Sequence, residues 1–468
     1  MVIPLKVLIG TCYVSILYLG AGLFFFLRGR RELTNKQLAG TLFLGVVFLY
    51  LGLALWTSRA IAPTGDEPFY LLAAKSIITD KDLDISNNYR QKDWKAFMPK
   101  TDKLNIWPSL RPDGRIYMDE RVLFIAGMVV PYLIGGFAAT ALFMALLSSI
   151  LIWLIYNYLL SVGFAQKKSF WVCLITAFSQ PMITMNSRIY HNVSGAILIL
   201  WAFLILNHKP RNSLNALIAG SSILALPWLH INYLAFCFPL AFMYLFSFWK
   251  NKKISGIFIL LGILDIIIFL VYRLHIRLGH DLFGGNDYEL TPFIWRSLLA
   301  LFFDQEAGLF FLSPVYIFSF IGFFSAFFHD HAPKKQLLVI FLIFGFLILQ
   351  GCLTAFGGGY DTGRTLIPIL PFLALFLSRG LESNRFKLVA TVLIAYSIIA
   401  GYLAAALPWL AINYEKASNT WLPTFLIPGR EHYFSLLVIL ITLLFMGYFN
   451  GTPGTKVRGL LRGGWIWV

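Results

Sequence analysis

Long apolar stretches separated by short polar connections run along most of the chain. The stretches are about as long as the ~20 residues that a helix needs to cross a ~30 Å hydrocarbon core. Repeated spans in one chain favour helices, which satisfy their own backbone hydrogen bonds, over barrel strands. Hydropathy therefore predicts about thirteen membrane-spanning helices. They cover residues 5–27, 38–58, 137–162, 169–187, 192–207, 213–229, 232–249, 254–273, 308–328, 336–356, 365–379, 387–409 and 433–450.

Positively charged residues gather in the connections that follow alternate spans. These clusters lie within residues 28–36, 167–168, 209–211, 250–253, 334–335, 379–387 and 456–462. The positive-inside rule predicts that all of them are cytoplasmic, with the N-terminus of a retained first span outside. By parity, the long or polar connections face the extracytoplasmic side. Those connections are residues 59–121, 274–307, 357–364 and 410–432.

The composition agrees with this pattern. Of the 468 residues, 58% are hydrophobic and only 13% are charged, and the mean hydropathy is +0.73. A soluble domain carries about 25% charged residues, so the sequence predicts an integral membrane protein. The net charge of +16 does not indicate a nucleic-acid partner, because the basic residues punctuate the spans instead of covering one soluble face.

Two acidic sets occur at predicted outer ends of spans. Asp66 and Glu67 lie in "APTGDEPFYLLAAKSI", just after the second span, and "LFFDQEAGLFFLSP" carries Asp304 and Glu306. Carboxylates near a membrane cost free energy and tend to be retained for a task. The structural alternative is that Asp66 only caps a helix, since Pro68 suits a first helical turn.

A glycine-rich turn precedes Arg364 in "GGGYDTGRTLIPILP". Backbone amides freed by glycine, a helix N-terminus and a guanidinium together favour phosphate binding, although glycines at a helix boundary also make simple turns. Arg188 and His230 lie at other outer boundaries. His275, His280 and Asp281 lack the ligand spacing of a metal site. No metal or cofactor is therefore expected, and a divalent cation stays an open alternative.

These segments together resemble the GT-C class of membrane glycosyltransferases, the group that contains protein O-mannosyltransferases and aminoarabinose transferases. The resemblance covers about residues 38–380 and rests on "APTGDEPFYLLAAKSI", "DLDISNNY", "LPWLHINY", "LFFDQEAGLFFLSPVY" and "GGGYDTGRTLIPILPFLAL". It implies an all-α polytopic GT-C fold whose long first outer loop contains interfacial helices. It also implies transfer of a sugar from a polyprenyl-phosphate donor to a glycan, lipid or protein acceptor on the extracytoplasmic face, with inversion expected at the sugar.

Carried over to this chain, the resemblance makes Asp66 the catalytic general base and Glu67 its acidic neighbour. Arg364 would bind the donor phosphate, with help from Arg188 or Lys100. The remaining substrate-binding candidates are Tyr70, Asn87, Asn88, His230, Asp304, Glu306, Tyr360 and Asp361.

The expected organisation has three regions. Residues 1–37 form an extra N-terminal span with a basic loop, 38–409 form the catalytic membrane module, and 410–468 form an outer loop, a last span and a basic tail. Residues 122–136 are predicted to be an interfacial or half-buried helix, because a proline and a Gly-Gly pair make the segment too short and interrupted to span. The expected location is a prokaryotic cytoplasmic membrane.

Two other function classes stay open. A lipid or sugar transporter would also have many spans, but transporters place charges and broken helices near the membrane midplane. Here the acids gather at one interface, apart from Asp265. A non-catalytic subunit built on the same fold is the third class.

Overall fold

The computed structural model describes residues 35–104, 109–118, 121–208, 212–276, 301–302, 308–328, 363–382 and 387–408. The predicted spans 5–27, 336–356 and 433–450 lie outside the described residues. So do nearly all of the predicted N-terminal region, residues 1–37, and the whole of the C-terminal region, residues 410–468.

The described chain is almost entirely helical. Its α-helices are α1 (Asn35–Ala60), α2 (Glu67–Thr79), α3 (Ser86–Arg90), α4 (Val122–Ser161), α5 (Gln166–Phe178), α6 (Met182–Met185), α7 (His191–His208), α8 (Ser213–Leu229), α9 (Leu234–Phe248), α10 (Lys252–Ile276), α11 (Leu309–Leu312), α12 (Ile317–Phe328), α13 (Leu370–Gly380) and α14 (Lys387–Ala406). Short 3₁₀ helices span Asp93–Ala96, Ile231–Tyr233, Pro314–Tyr316 and Arg364–Ile369. Strands β1 (Ser109–Leu110) and β2 (Ile116–Tyr117) form an antiparallel hairpin in the first loop.

Among the described residues, five helical segments are long and apolar enough to cross a membrane. They are Lys36–Ala60, Val122–Ser161, Ile231–Phe248, Lys252–Ile276 and Lys387–Ala406. The α10 helix exposes aliphatic side chains on most of its surface, among them Leu260 at 67% and Val271 at 61%. Such a surface suits a hydrocarbon solvent and not water. The part of the chain that the structure describes is therefore that of an all-α membrane protein, apart from its small hairpin.

Most predicted spans that fall in the described residues coincide with a helix. This holds to within about one helical turn for 38–58, 192–207, 213–229, 232–249, 254–273 and 387–409, and the span 137–162 lies within the longer α4. The α4 helix begins fifteen residues before its predicted span but bends at Gly135 and Gly136, whose backbone angles are non-helical. Residues 122–134 are thus a separate helical segment, as the Gly-Gly pair predicted.

Three predicted spans are not single helices, which corrects the hydropathy prediction. The span 169–187 ends as a helix at Phe178 and resumes for one turn in α6. The span 308–328 is divided between α11, a 3₁₀ turn and α12, and 365–379 begins as a 3₁₀ helix. A proline stands at each interruption, where it removes a backbone donor and obstructs the preceding turn. Apolar composition alone does not reveal such breaks.

The helix ends gather at two opposite ends of the bundle. At one end, the Lys168 ammonium pairs with Glu382, so the start of α5 adjoins the end of α13. Both residues belong to connections predicted to be cytoplasmic. At the other end, Trp56 Nε1 donates to the Ala406 carbonyl at 2.7 Å, which joins the ends of α1 and α14. This second end carries the first loop and the candidate site.

Candidate functional site

Asp66 lies between α1 and α2 at this end of the bundle. It occupies the N-cap position of α2, yet its side chain makes no capping hydrogen bond. Its Oδ2 atom instead accepts a hydrogen bond from Arg121 Nη1 at 3.0 Å, and the Tyr70 hydroxyl lies 3.5 Å away. The side chain is 29% exposed. Asp66 therefore occupies the predicted N-cap position, but its side chain binds Arg121 instead of capping the helix.

Arg121 joins Asp66 to a second group of the site. The residue immediately precedes α4, and its Nη2 atom lies 3.2 Å from Nε2 of His230 at the end of α8. Its guanidinium also lies 5.5 Å from the centre of the Tyr70 ring, within the range of a cation–π contact. Sequence reasoning missed Arg121. The available signal was a basic residue immediately before a long apolar helix.

His230 belongs to a stacked pair of imidazoles. Its ring lies 4.4 Å from that of His191 at an angle of 21°, and His191 Nδ1 lies 2.8 Å from the Tyr233 hydroxyl. Gly195 makes room for this arrangement, because a Cβ atom there would lie 2.5 Å from the Tyr233 ring. The start of α7, the end of α8 and the following 3₁₀ turn thus meet at one point.

The charges of three described guanidinium groups affect the pKa of the His230 imidazole. Burial lowers the pKa of the His230 imidazole well below its ordinary value, and the charges of Arg121, Arg364 and Arg273 lower it further. Arg273, in the last turn of α10, is only 1% exposed and was not predicted. Because these arginines come from three separate segments of the chain, the structure assembles a cationic site around a neutral histidine.

Arg364 reaches this site from the start of its 3₁₀ helix. Gly363, just before it, has a φ of 77°, and an added Cβ would lie 3.3 Å from Pro181, so glycine suits this turn. The Arg364 guanidinium lies 4.3 Å from the centre of the Tyr190 ring. Tyr190 in turn meets Tyr70 edge-on, with ring centres 6.4 Å apart. The Tyr190 ring therefore lies between Arg364 and Tyr70, and the Tyr70 hydroxyl lies beside Asp66.

Glu67 and Arg188 have a different environment. The Glu67 side chain is fully buried, and its Oε2 atom lies 3.2 Å from Arg188 Nη1. Its carboxylate also accepts backbone N–H bonds from Thr64 at 2.8 Å and Ile189 at 2.7 Å. Arg188 Nη2 donates to the Thr64 hydroxyl at 2.8 Å. This brace, formed by Thr64, Glu67, Arg188 and Ile189, ties the turn that carries Asp66 to the start of α7.

The predicted loop residues lie elsewhere. Asn87 and Asn88 both donate to Asp80, and Asn88 also donates to Asp93 at 3.0 Å. These bonds hold the first loop in its shape. Lys100 is exposed and makes no ion pair with any residue that the structure describes. The structure thus brings Asp66, Tyr70, His230 and Arg364 together. Asn87, Asn88 and Lys100 lie apart from them in the first loop.

The other substrate-binding candidates, Asp304, Glu306, Tyr360 and Asp361, lie outside the described residues. Within the described ranges, no group of three His, Cys, Asp or Glu side chains could hold a metal ion.

Searches against protein-family models, curated proteins and solved structures find no match for this chain. The geometry of the site therefore carries the functional argument alone.

Proposed function

We propose that this protein is a multi-pass membrane glycosyltransferase. It would transfer a sugar from a polyprenyl-phosphate donor to an acceptor hydroxyl on the extracytoplasmic face, in a prokaryotic cytoplasmic membrane. The observation that carries the proposal is the shared environment of Asp66 and Arg364. Arg121 contacts both Asp66 and His230, and Arg364 lies over the Tyr190 ring, which meets Tyr70 beside Asp66.

The proposed reaction needs a base and a stabilised leaving group, and the site offers both. Asp66 Oδ1 accepts no hydrogen bond from any residue that the structure describes. It can take the acceptor proton as the acceptor oxygen bonds to the anomeric carbon and the bond from that carbon to the phosphate oxygen breaks. The electron pair stays on the phosphate. A positioned base typically contributes about 10²–10⁴-fold to the rate.

The arginines would meet the second requirement, which is to stabilise the leaving phosphate. Cleavage of the donor leaves a polyprenyl phosphate with one more negative charge than the donor carried. Preorganised cations aimed at this developing charge stabilise the transition state more than the ground state. Arg121 and Arg364 are the residues that we assign to this role, and the buried Arg273 would contribute only its charge.

The brace residues receive a positioning role in this proposal. Because Glu67 is fully buried and bonded on both oxygens, it is not available to a substrate. Arg188 is engaged with Glu67 and Thr64, and its side chain is 4% exposed. We therefore propose that both residues hold Asp66 in place and that neither contacts the donor.

The membrane setting agrees with a lipid donor, because an apolar polyprenyl tail needs a hydrocarbon environment. A transporter would place its charges near the midplane. Asp265 on α10 is the acidic candidate there, and it accepts a hydrogen bond from Trp228 Nε1 on α8 at 2.8 Å. This bond joins two neighbouring helices and gives Asp265 a structural role.

The test is a turnover assay on the protein reconstituted in lipid bilayers. The protein receives a panel of polyprenyl-phosphate sugars, with membrane extract as the source of acceptor. We expect free polyprenyl phosphate to appear together with a glycosylated product. A donor that changes leaflet without cleavage would indicate a transporter. A donor that neither moves nor reacts would favour a non-catalytic subunit.

A further inference from the structure

Asp265 lies near the middle of α10, which is the least buried of the five long apolar helices in the described residues. Only 11% of the apolar stretch of α10 is buried, against 28% or more in the other four. Asp265 stands thirteen positions after Lys252 and eleven before Ile276, so about 17–20 Å of helix lies on either side. In a helix that crosses a ~30 Å hydrocarbon core, this position is close to the membrane centre.

Only one oxygen of this carboxylate has a hydrogen-bond donor among the described residues. Oδ1 accepts from Trp228 Nε1 on α8 at 2.8 Å, and Oδ2 accepts from none of them. The Trp228 ring also meets Phe269 of α10 edge-on, with ring centres 5.4 Å apart, which fixes the indole. In hydrocarbon no water replaces a missing donor, so Oδ2 favours a partner that supplies one.

Asp265 stands at the border between the packed and the open side of α10. Gly262 and Phe269, about one turn before and after it, face α8: an added Cβ at Gly262 would lie 3.8 Å from a side chain of that helix, and Phe269 is buried. Leu261 and Ile268, on the other side of Asp265, are 45% and 49% exposed. The carboxylate therefore adjoins a surface that the described residues do not cover.

The chain itself carries no cation at this depth. In all the predicted spans, every Lys or Arg stands within two residues of a span end. A second copy of the chain would therefore bring only apolar groups or another carboxylate to Asp265. Ionisable side chains inside a membrane are usually paired, so the matching cation has to come from a different protein.

We propose that the open face of α10 around Asp265 binds a transmembrane helix of another protein, which carries a Lys or Arg near the membrane centre. The cation donates to Oδ2 in a charge-assisted hydrogen bond, while Leu261 and Ile268 pack against the partner helix. The Trp228 bond holds the carboxylate in place for this contact. The inference does not depend on the proposed sugar transfer.

The α9 helix offers a comparison surface. Phe238, Phe242 and Phe246 recur every four residues along it and are 70–74% exposed. No Asp, Glu, Lys or Arg occurs in α9. This face is as apolar as that of α10 but has no charge that a partner could match, so lipid alone suits it.

The test uses two synthetic transmembrane peptides as probes. Both are polyleucine helices with a fluorescent acceptor, and one has a single Arg at its centre where the other has Leu. The full-length protein carries the fluorescent donor and is reconstituted in phosphatidylcholine vesicles. Energy transfer gives the dissociation constant of each peptide for the wild type and for Asp265→Asn. The Asn side chain keeps an oxygen that can accept from Trp228 Nε1 but removes the charge.

We expect the wild type to bind the Arg peptide at least about tenfold more tightly than the Leu peptide, the effect of a hydrogen bond to a charged group. Asp265→Asn should bind the two peptides alike. Equal binding of both peptides by the wild type would overturn the proposal. So would a preference for the Arg peptide that survives in Asp265→Asn.

A measurement on the wild type covers the case in which the variant fails to fold. A photoreactive group beside the central Arg of the peptide should crosslink to α10, and labelling of α9 instead would overturn the proposed surface. The number of protein molecules per complex is counted by photobleaching. A wild-type dimer that dissociates in Asp265→Asn would assign this face to a second copy and would also overturn the proposal.

Discussion

Asp66 and Glu67 are adjacent in the chain but occupy opposite kinds of environment. Glu67 is fully buried, and its oxygens are bonded to Arg188 and to two backbone amides. Asp66 is 29% exposed, and it has an ion pair to Arg121 on one oxygen only. A carboxylate whose bonds are all internal holds structure together, whereas one with an available oxygen can exchange a proton.

The same contrast separates their arginine partners. Arg188 lies inside the brace, while Arg121 extends from Asp66 toward His230. Substitutions in the brace should therefore lower the stability of the fold, and substitutions around Asp66 and Arg121 should lower the rate of turnover. The predictions below test this division.

The largest effect is expected for Asp66→Asn. Loss of the base should reduce sugar transfer about 10²–10⁴-fold. Stability should change little, because a partly exposed ion pair contributes about 0–1 kcal/mol. The initial rate of donor consumption and the unfolding midpoint are measured on the same preparation. Full activity in a protein that inserts normally would show that Asp66 is not the base.

Glu67→Gln should give the reverse result. It removes the negative charge that compensates the buried Arg188 guanidinium, and loss of one charge of a buried ion pair typically costs about 3–5 kcal/mol in the free energy of unfolding. Any loss of activity should follow the loss of folded protein. The unfolding transition in detergent is compared with turnover per folded molecule. Unchanged stability combined with lost turnover would move the catalytic role to Glu67.

Arg364→Ala should weaken donor binding about 10–100-fold, because a hydrogen bond to a charged group contributes about 1.5–3 kcal/mol. The acceptor should be affected much less. The control is Lys100→Ala, which removes an exposed cation of the first loop and should change neither constant. KM values for donor and acceptor are measured for both variants. Equal changes in both KM values of Arg364→Ala would remove its phosphate role.

The smallest effect is expected from acidification. Burial and the charges of Arg121, Arg364 and Arg273 lower the pKa of His230, which stays neutral in the folded state. Below an ordinary histidine pKa of about 6.5, the unfolded chain binds a proton that the folded chain does not. Stability should therefore fall as the pH drops below that value, by at most about 1.4 kcal/mol per pH unit for one proton.

His230→Gln is the control for this pH dependence. The variant keeps the neighbouring His191 and Tyr233 but removes the titrating ring. Its unfolding midpoint should decline less steeply between neutral and mildly acidic pH than that of the wild type. Identical slopes for the two proteins would show that His230 does not titrate as described.

The sequence predicted helix positions better than helix continuity. Apolar length identified α1, α8 and α10 almost to the residue, because a membrane-crossing helix needs an uninterrupted apolar run. It failed at Ser179–Pro181 and at Ser313–Pro314, where the apolar run continues but the helix does not. Packing against neighbouring helices allows these breaks, and hydropathy contains no information about such packing.

The site was predictable only where local signals existed. Asp66 follows a span, and Arg364 follows a glycine turn, so each had a signal in its own segment. Arg121 had only its place before an apolar helix as a signal, and Arg273 had none, because the roles of both depend on contacts with residues far away in the chain. Nor could the sequence distinguish Asp66 from Glu67. Successive helical positions differ by about 100° around the axis, so neighbours face different surroundings.

The most direct test of the central claim is a mass-spectrometric comparison of polyprenyl-phosphate sugars and cell-envelope glycans. It uses cells that lack the protein, complemented with the wild type or with Asp66→Asn. The wild type should consume one lipid-linked sugar and add that sugar to one acceptor, whereas Asp66→Asn should leave the donor accumulated and the acceptor unmodified. Equal restoration by both proteins would contradict the account.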